Sequence, residues 1–154
     1  MTQNHPLAEA RDVFQDASFE LIKEATGKNP FAFDYLWHLA CISRTIDDIY
    51  DQDNEVTKEA IIGVVSYLLV ELPYNPFYQD NRDTLQSQHV SMWNAWVAAN
   101  AWEDGDETER IYSHVWRDTF HELLPLVALI THGPNKMSEV SRRMRVLFKK
   151  QLGD

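Results

Sequence analysis

Apolar residues recur every three to four positions along almost the whole chain, a spacing that gathers them on one face of an α-helix. Strict alternation of apolar and polar residues, which is typical of β-strands, is nowhere sustained. The pattern therefore predicts one all-α bundle of about six helices. Their expected ranges are 14–25, 30–51, 57–71, 84–104, 106–131 and 137–152, with a short helix over 77–83.

Residues that favour helix ends lie at several of these bounds. Gly27 follows the first helix as a C-terminal cap would, and Thr57 is a good N-terminal cap for the third. Pro125 is expected to kink the fifth helix, because proline lacks the amide hydrogen that an inner helical turn needs. The Gly133-Pro134 pair is expected to close that helix.

The length and charge of the chain narrow the range of partners. With 154 residues the chain is long enough to bury its own core, so a single domain over residues 1–154 is expected. Five Trp, six Tyr and seven Phe can fill that core. The net charge of −10 argues against nucleic acid or an anionic membrane surface as the partner, because either would repel it, and is compatible with divalent cations.

The sequence indicates no membrane insertion. Its longest apolar run, residues 60–70, is interrupted by Gly63 and Ser66 and is too short to span a bilayer. The first residues carry neither the basic stretch nor the apolar stretch of a signal peptide, so a cytoplasmic protein is expected. Cys41 lies within an apolar helical run, which favours a buried thiol over a nucleophile.

Three carboxylates, Asp47, Asp48 and Asp51, lie along one edge of the second helix near its C-terminal end. They repel one another there, and the negative end of the helix dipole disfavours each of them. Such a cluster persists either because it is fully solvated or because a cation binds to it. Magnesium, which proteins bind through carboxylates together with substrate phosphates, is the expected cofactor.

The residues around the cluster resemble a known family. Ala40 to Asp51, with Arg44 three residues ahead of Asp-Asp-Ile-Tyr-Asp, is similar to the first aspartate-rich helix of the squalene/phytoene synthase branch of class I terpenoid synthases. The resemblance implies an all-α fold in which magnesium holds a substrate diphosphate. It also implies that Asp47 and Asp51 are direct ligands, and that Asp48 is a ligand or the neighbour of one.

The family needs a second metal-binding segment, and this sequence lacks the family's form of it, Asn-Asp-x-x-Ser-x-x-x-Glu. The nearest substitutes pair oxygen ligands at helical spacing. Arg44 and Arg117 would neutralise the diphosphate through their guanidinium groups. Full synthases are also considerably longer, which implies a reduced fold or a second subunit, as in a homodimer. The candidates for the second segment are Asn100, Glu103, Asp118 and Glu122.

Two other hypotheses use the same residues differently. All-α nucleoside triphosphate pyrophosphohydrolases place two acidic pairs on adjacent helices, and the pairs Glu20/Glu24 and Asp48/Asp51 are loosely similar to that arrangement. In such an enzyme magnesium would activate water for attack on phosphorus. The third hypothesis is a non-catalytic helical interaction domain whose aspartates form a solvated helix end.

Overall fold

The computed structural model describes residues 16–52 and 54–149, and every regular element in these ranges is helical. The predicted all-α class is thus confirmed. The α-helices are α1 (Asp16–Thr26), α2 (Pro30–Asp51), α3 (Lys58–Ser66), α4 (Pro76–Asp80), α5 (Arg82–Trp102), α6 (Glu107–Arg117), α7 (Leu123–His132) and α8 (Pro134–Lys149). A π-helix over Tyr67–Glu71 and a 3₁₀ turn over Leu72–Tyr74 prolong α3, and a 3₁₀ helix over Asp118–Glu122 precedes α7.

The predicted caps terminate their helices as expected. Gly27 follows α1 with a φ of +58°, a backbone conformation that favours glycine, and a Cβ atom there would lie 2.5 Å from His132 Cε1, so the histidine ring would have to shift. The Thr57 side chain accepts a hydrogen bond from the Ala60 amide at the start of α3. At the start of α2, the Asn29 side chain accepts from the amides of residues 31 and 32.

The fifth predicted helix is interrupted earlier than expected. Helix α6 ends at Arg117, the 3₁₀ helix follows, and Pro125 is the third residue of α7 instead of a kink in its middle. A proline in the first turn forfeits no intrahelical bond, because the amides of that turn have no carbonyl partner within the helix. Likewise Pro134 begins α8, so it opens the last helix as well as following the end of α7 at Gly133.

The predicted ends at residues 14 and 152 lie outside the described residues. None of the helices within the described ranges combines the length and the apolar character that a bilayer span requires.

The core lies mainly between α1, α2, α7 and α8, where α7 packs along both α8 and α1. Helix α5 packs chiefly along α6, so these two helices form a hairpin beside the core. Helices α2 and α5 contact each other mostly through side chains, and a space remains between the two helices. The largest side chains that are completely buried are Leu21, Tyr35, Tyr67, Leu85, Leu123, Val127 and Val140.

We expect Asn29→Ala to lower the free energy of unfolding by about 1 kcal/mol, because two amide groups at the start of α2 lose their acceptor. Urea unfolding would measure the change. Asn29→Asp keeps the acceptor and should remain within a few tenths of the parent. Equal losses in the two variants would contradict the capping role.

Candidate functional site

A cavity of about 610 Å³ lies between α2, α5 and the 3₁₀ helix that follows α6, with side chains of α1 and α7 at its base. Its lining is mostly apolar. Four charged side chains interrupt the lining, Arg44 and Asp47 from α2 and Arg117 and Asp118 from the junction after α6. The structure thus brings four of the predicted site residues to one cavity. The apolar part of the lining includes Leu36, Leu39, Leu68, Trp93, Trp96 and Phe120.

On the α2 side, neighbouring side chains hold the aspartates. The Trp96 indole Nε1 donates to Asp47 across the cavity at 3.3 Å. Arg44 is one helical turn before Asp48, and their charged groups are 3.2 Å apart. The Asn54 amide donates to the same Asp48 oxygen at 2.7 Å. Asp51 is the last residue of α2, which confirms that the trio occupies the C-terminal end of the helix.

On the opposite side, Arg117 binds two of the predicted metal ligands. One of its terminal nitrogens donates to Asn100 Oδ1 at 2.8 Å and to a Glu103 carboxylate oxygen at 2.6 Å. These contacts tie the end of α6 to the end of α5. As they are placed, Asn100 and Glu103 therefore fix the orientation of Arg117, and their ligation of magnesium stays a prediction.

Two donors beside the cavity have no acceptor. Within the part of the chain that the structure describes, Arg117 Nε and Asn100 Nδ2 are buried without a hydrogen-bond partner. An unpaired buried donor costs about 1–3 kcal/mol, and more when the group is charged. Both atoms are closed off from solvent, so the shortage of acceptors lies within the packed junction of α5 and α6.

The other two predicted ligands lie in the 3₁₀ helix. Asp118 lines the cavity, and its carboxylate is 3.5 Å from His121 Nδ1 on the next turn. Glu122 instead forms an ion pair with Arg145 of α8. Asp118 therefore has its partner within its own 3₁₀ helix, whereas the partner of Glu122 lies 23 positions away in the sequence.

Among residues 16–52 and 54–149, no three His, Cys, Asp or Glu side chains converge as a metal site. The described residues thus do not preform a magnesium site made entirely of protein ligands. Magnesium in phosphate-binding sites commonly uses one or two carboxylates together with substrate phosphate oxygens. Asp47 and Asp118, which line one cavity, suit that second kind of site.

The structure also places a histidine in the cavity that the sequence analysis did not single out. His89 of α5 lines the cavity, and its Nε2 atom is 2.7 Å from the Tyr35 hydroxyl. The ring stacks against Tyr78 at 5.8 Å between centroids. Burial lowers the pKa of His89, so the ring is neutral at neutral pH and can accept the Tyr35 hydrogen. No local motif signals this contact, because 54 positions separate the two residues.

This histidine predicts a pH dependence of stability. The folded pKa of His89 is below its unfolded value, so its contribution is complete above about pH 6.5 and is lost as the pH falls through the folded pKa. We expect the melting temperature to drop between pH 7.5 and 5.5, and to drop less in His89→Gln. Melting curves across this range measure the difference. An equal drop in the variant would show that other groups cause it.

The structure also bears on two other predictions from the sequence, the buried thiol of Cys41 and the acidic pairs of the nucleotide-hydrolysis hypothesis. Cys41 is fully buried, and burial raises the pKa of its thiol to about 11, which is consistent with a structural thiol. In the acidic pairs proposed for nucleotide hydrolysis, Glu20 pairs with Lys23 on α1 and Glu24 with Arg143 on α8. The hydrogen bond from Arg143 lowers the pKa of Glu24. Both glutamates therefore already have cationic partners, and that hypothesis stays a prediction.

Comparisons with protein-family models, curated proteins and solved structures found no match to this chain. The similarity of residues 40–51 to terpenoid synthases therefore stays a hypothesis, which the geometry of the cavity has to support.

Proposed function

We propose that the protein binds an isoprenoid-type diphosphate, with its apolar chain in the cavity and its diphosphate between α2 and the junction after α6. The observation that supports this most is the composition of the cavity. The lining is mostly apolar, and its four charged side chains, Arg44, Asp47, Arg117 and Asp118, come from α2 and from the junction after α6. An amphiphile with a compact anionic head matches that division better than a uniformly polar nucleotide does.

The guanidinium of Arg117 supports an anionic head, because it lines the cavity and phosphate oxygens accept hydrogen bonds from such donors. Guanidinium groups bind phosphate through two parallel hydrogen bonds, and Arg117 still has donors to offer. Its contacts with Asn100 and Glu103 hold it in place before a ligand arrives, so less side-chain entropy is lost on binding.

The balance of charges supports magnesium as a partner of the diphosphate. Arg44 is paired with Asp48 and Arg117 with Glu103, so both guanidinium groups are already partly neutralised, and the carboxylates of Asp47 and Asp118 would repel a bare diphosphate. Magnesium would neutralise the phosphates and be held by Asp47 and Asp118, with Asp48 and Asp51 close by on α2.

The volume and the lining of the cavity support an apolar chain of moderate length. Ligand cavities in proteins span about 300–1,000 Å³, and this one measures about 610 Å³. Trp93, Trp96 and Phe120 present aromatic surface to it.

With an allylic diphosphate bound, the reaction in keeping with this arrangement is ionisation of the carbon–oxygen bond, which needs no protein nucleophile. The bond electrons leave with pyrophosphate, whose charge the two arginines offset. A terpenoid-synthase-like fold is part of this proposal.

A thermal-shift series tests the proposal. Pyrophosphate with magnesium should raise the melting temperature, whereas either component alone should raise it less. Farnesyl diphosphate with magnesium should bind more tightly than pyrophosphate, because the chain adds apolar burial. A ligand at a hundred times its Kd stabilises by about 2.7 kcal/mol, which such a measurement detects. No shift with any of these ligands would contradict the proposal.

Variants and alternative ligands separate the hypotheses. Asp47→Asn combined with Asp118→Asn should remove the magnesium-dependent part of the shift, whereas Asp83→Asn, an exposed residue of α5, should leave it intact. A shift with nucleoside triphosphates but not with farnesyl diphosphate would favour nucleotide hydrolysis. Binding without release of pyrophosphate would retain the binding function and exclude the ionisation step.

A further inference from the structure

Helix α3 and its π-helical extension are apolar on two opposite faces. Val64 and Tyr67 point into the core and are at most 7% exposed. The opposite face carries Ile62 and Leu69, which are 63% and 73% exposed. A helix that is apolar all round is normally buried on all sides. Here one side has no covering within the described residues. The exposed apolar side chains of this segment are Ile61, Ile62, Val65, Leu68, Leu69 and Val70.

A second exposed apolar stripe lies on α5. Val90, Trp93 and Val97 recur at helical spacing and are 48% to 61% exposed. Leu68 and Trp93 also line the cavity, so the stripes of α3 and α5 border the same opening. We call these nine residues of the two stripes the open face.

The area of the open face is large for a monomer. From their exposed fractions, its nine side chains present on the order of 900 Å² of mostly apolar surface, whereas the largest patch on a typical monomer covers about 300–600 Å². A stable protein interface buries about 800 Å² on each partner. The open face is therefore of the size that one protein partner covers.

We propose that a second copy of this chain covers the open face and completes the wall of the cavity. A two-fold axis places the same apolar surface on both partners, so the open face can serve as both halves of the interface. None of its nine residues is charged, in a chain whose net charge is −10. Apposing two copies of the open face therefore brings no like charges of these residues together. The proposal rests on the fold alone and does not require the proposed function.

Sedimentation or light scattering at micromolar protein concentration tests the pairing. We expect twice the monomer mass for the parent protein. Leu69→Glu and Val90→Glu should each raise the dimer dissociation constant at least thirtyfold, because a charge would be buried in the interface. Val146→Glu is the matched control, since Val146 on α8 is 60% exposed and Val90 is 61% exposed. Circular dichroism confirms that the variants fold. A monomeric parent, or dissociation by Val146→Glu alone, would overturn the proposal.

Access to the cavity tests its closure. Ser43 lines the cavity, so Ser43→Cys would place a thiol there, and the native Cys41 stays inert because it is buried. We expect a maleimide to label this thiol at least tenfold more slowly in the dimer than in the Leu69→Glu background. Equal rates would show that the second copy does not close the cavity. A monomer that binds neutral lipid vesicles, or whose thiol is protected without dimerisation, would assign the open face to a different covering and overturn the proposal.

Discussion

Replacing Arg117 by methionine is expected to weaken the binding of magnesium pyrophosphate by about ten- to a hundredfold, because hydrogen bonds to charged groups contribute about 1.5–3 kcal/mol. Methionine keeps most of the side-chain volume and removes every donor. In the structure this guanidinium lines the cavity, is held by Asn100 and Glu103, and keeps one buried nitrogen unpaired. Isothermal titration of both proteins measures the effect.

Arg110→Met is the matched control for this variant. Arg110 is an exposed residue two turns earlier on α6, and its loss changes the net charge by the same amount. Because Arg117 also joins the ends of α5 and α6, its replacement is expected to lower the free energy of unfolding as well, and urea unfolding separates this effect from binding. Equal losses of affinity in the two variants would mean that overall charge, and not Arg117 itself, governs binding.

The helices could be predicted because their ends are encoded locally. Gly27 ends α1 with a positive φ, Thr57 caps α3 with its own side chain, and α2 ends at Asp51 as expected. The predicted kink at Pro125 was wrong, although it too came from a local signal: the proline does restrict the helix, and it lies in the first turn of α7. Sequence alone did not show whether the chain would bend at that residue or begin a new helix two residues before it.

The candidate site was less predictable, because its contacts join distant parts of the chain. The sequence placed Asn100 and Glu103 on a helix as possible metal ligands, but whether an ion or a cationic side chain binds them depends on how α5 and α6 pack. The structure places the Arg117 guanidinium there. The contact of His89 with Tyr35 likewise depends on the approach of α5 to α2, which no local pattern reports.

The exposed apolar residues show a related limit of helical periodicity. Trp93 and Val97 on α5, and Ile111 and Val115 on α6, are four positions apart, a spacing typical of faces that pack against other helices. All four are at least 48% exposed. Periodicity identifies an apolar face but not whether the same chain supplies its partner.

Closure of the cavity by a second copy would also strengthen diphosphate binding. In a cavity that stays open to water, the high dielectric of water screens the electrostatic interactions and so weakens them.

The cavity also predicts a difference between two leucines of similar burial. Leu85→Ala is expected to lower the free energy of unfolding by about 3–5 kcal/mol, because Leu85 is completely buried in the core and its truncation leaves a sealed void. Leu36→Ala is expected to cost about 2–3 kcal/mol. Leu36 is 4% exposed but lines the existing cavity, so part of its surface has no packed neighbour to lose.

Urea unfolding of both variants measures this difference, with the more exposed Leu129→Ala as a control expected to cost less than about 1 kcal/mol. Domains of this size are stable by about 5–15 kcal/mol, so the loss at Leu85 is a large share of the total. The Leu36 variant should enlarge the cavity and keep the position of Arg117, so its affinity for magnesium pyrophosphate should equal that of the parent protein. If Leu36→Ala cost as much as Leu85→Ala, the space beside Leu36 would be filled by packed side chains, and the protein would have no apolar cavity there to receive a ligand chain.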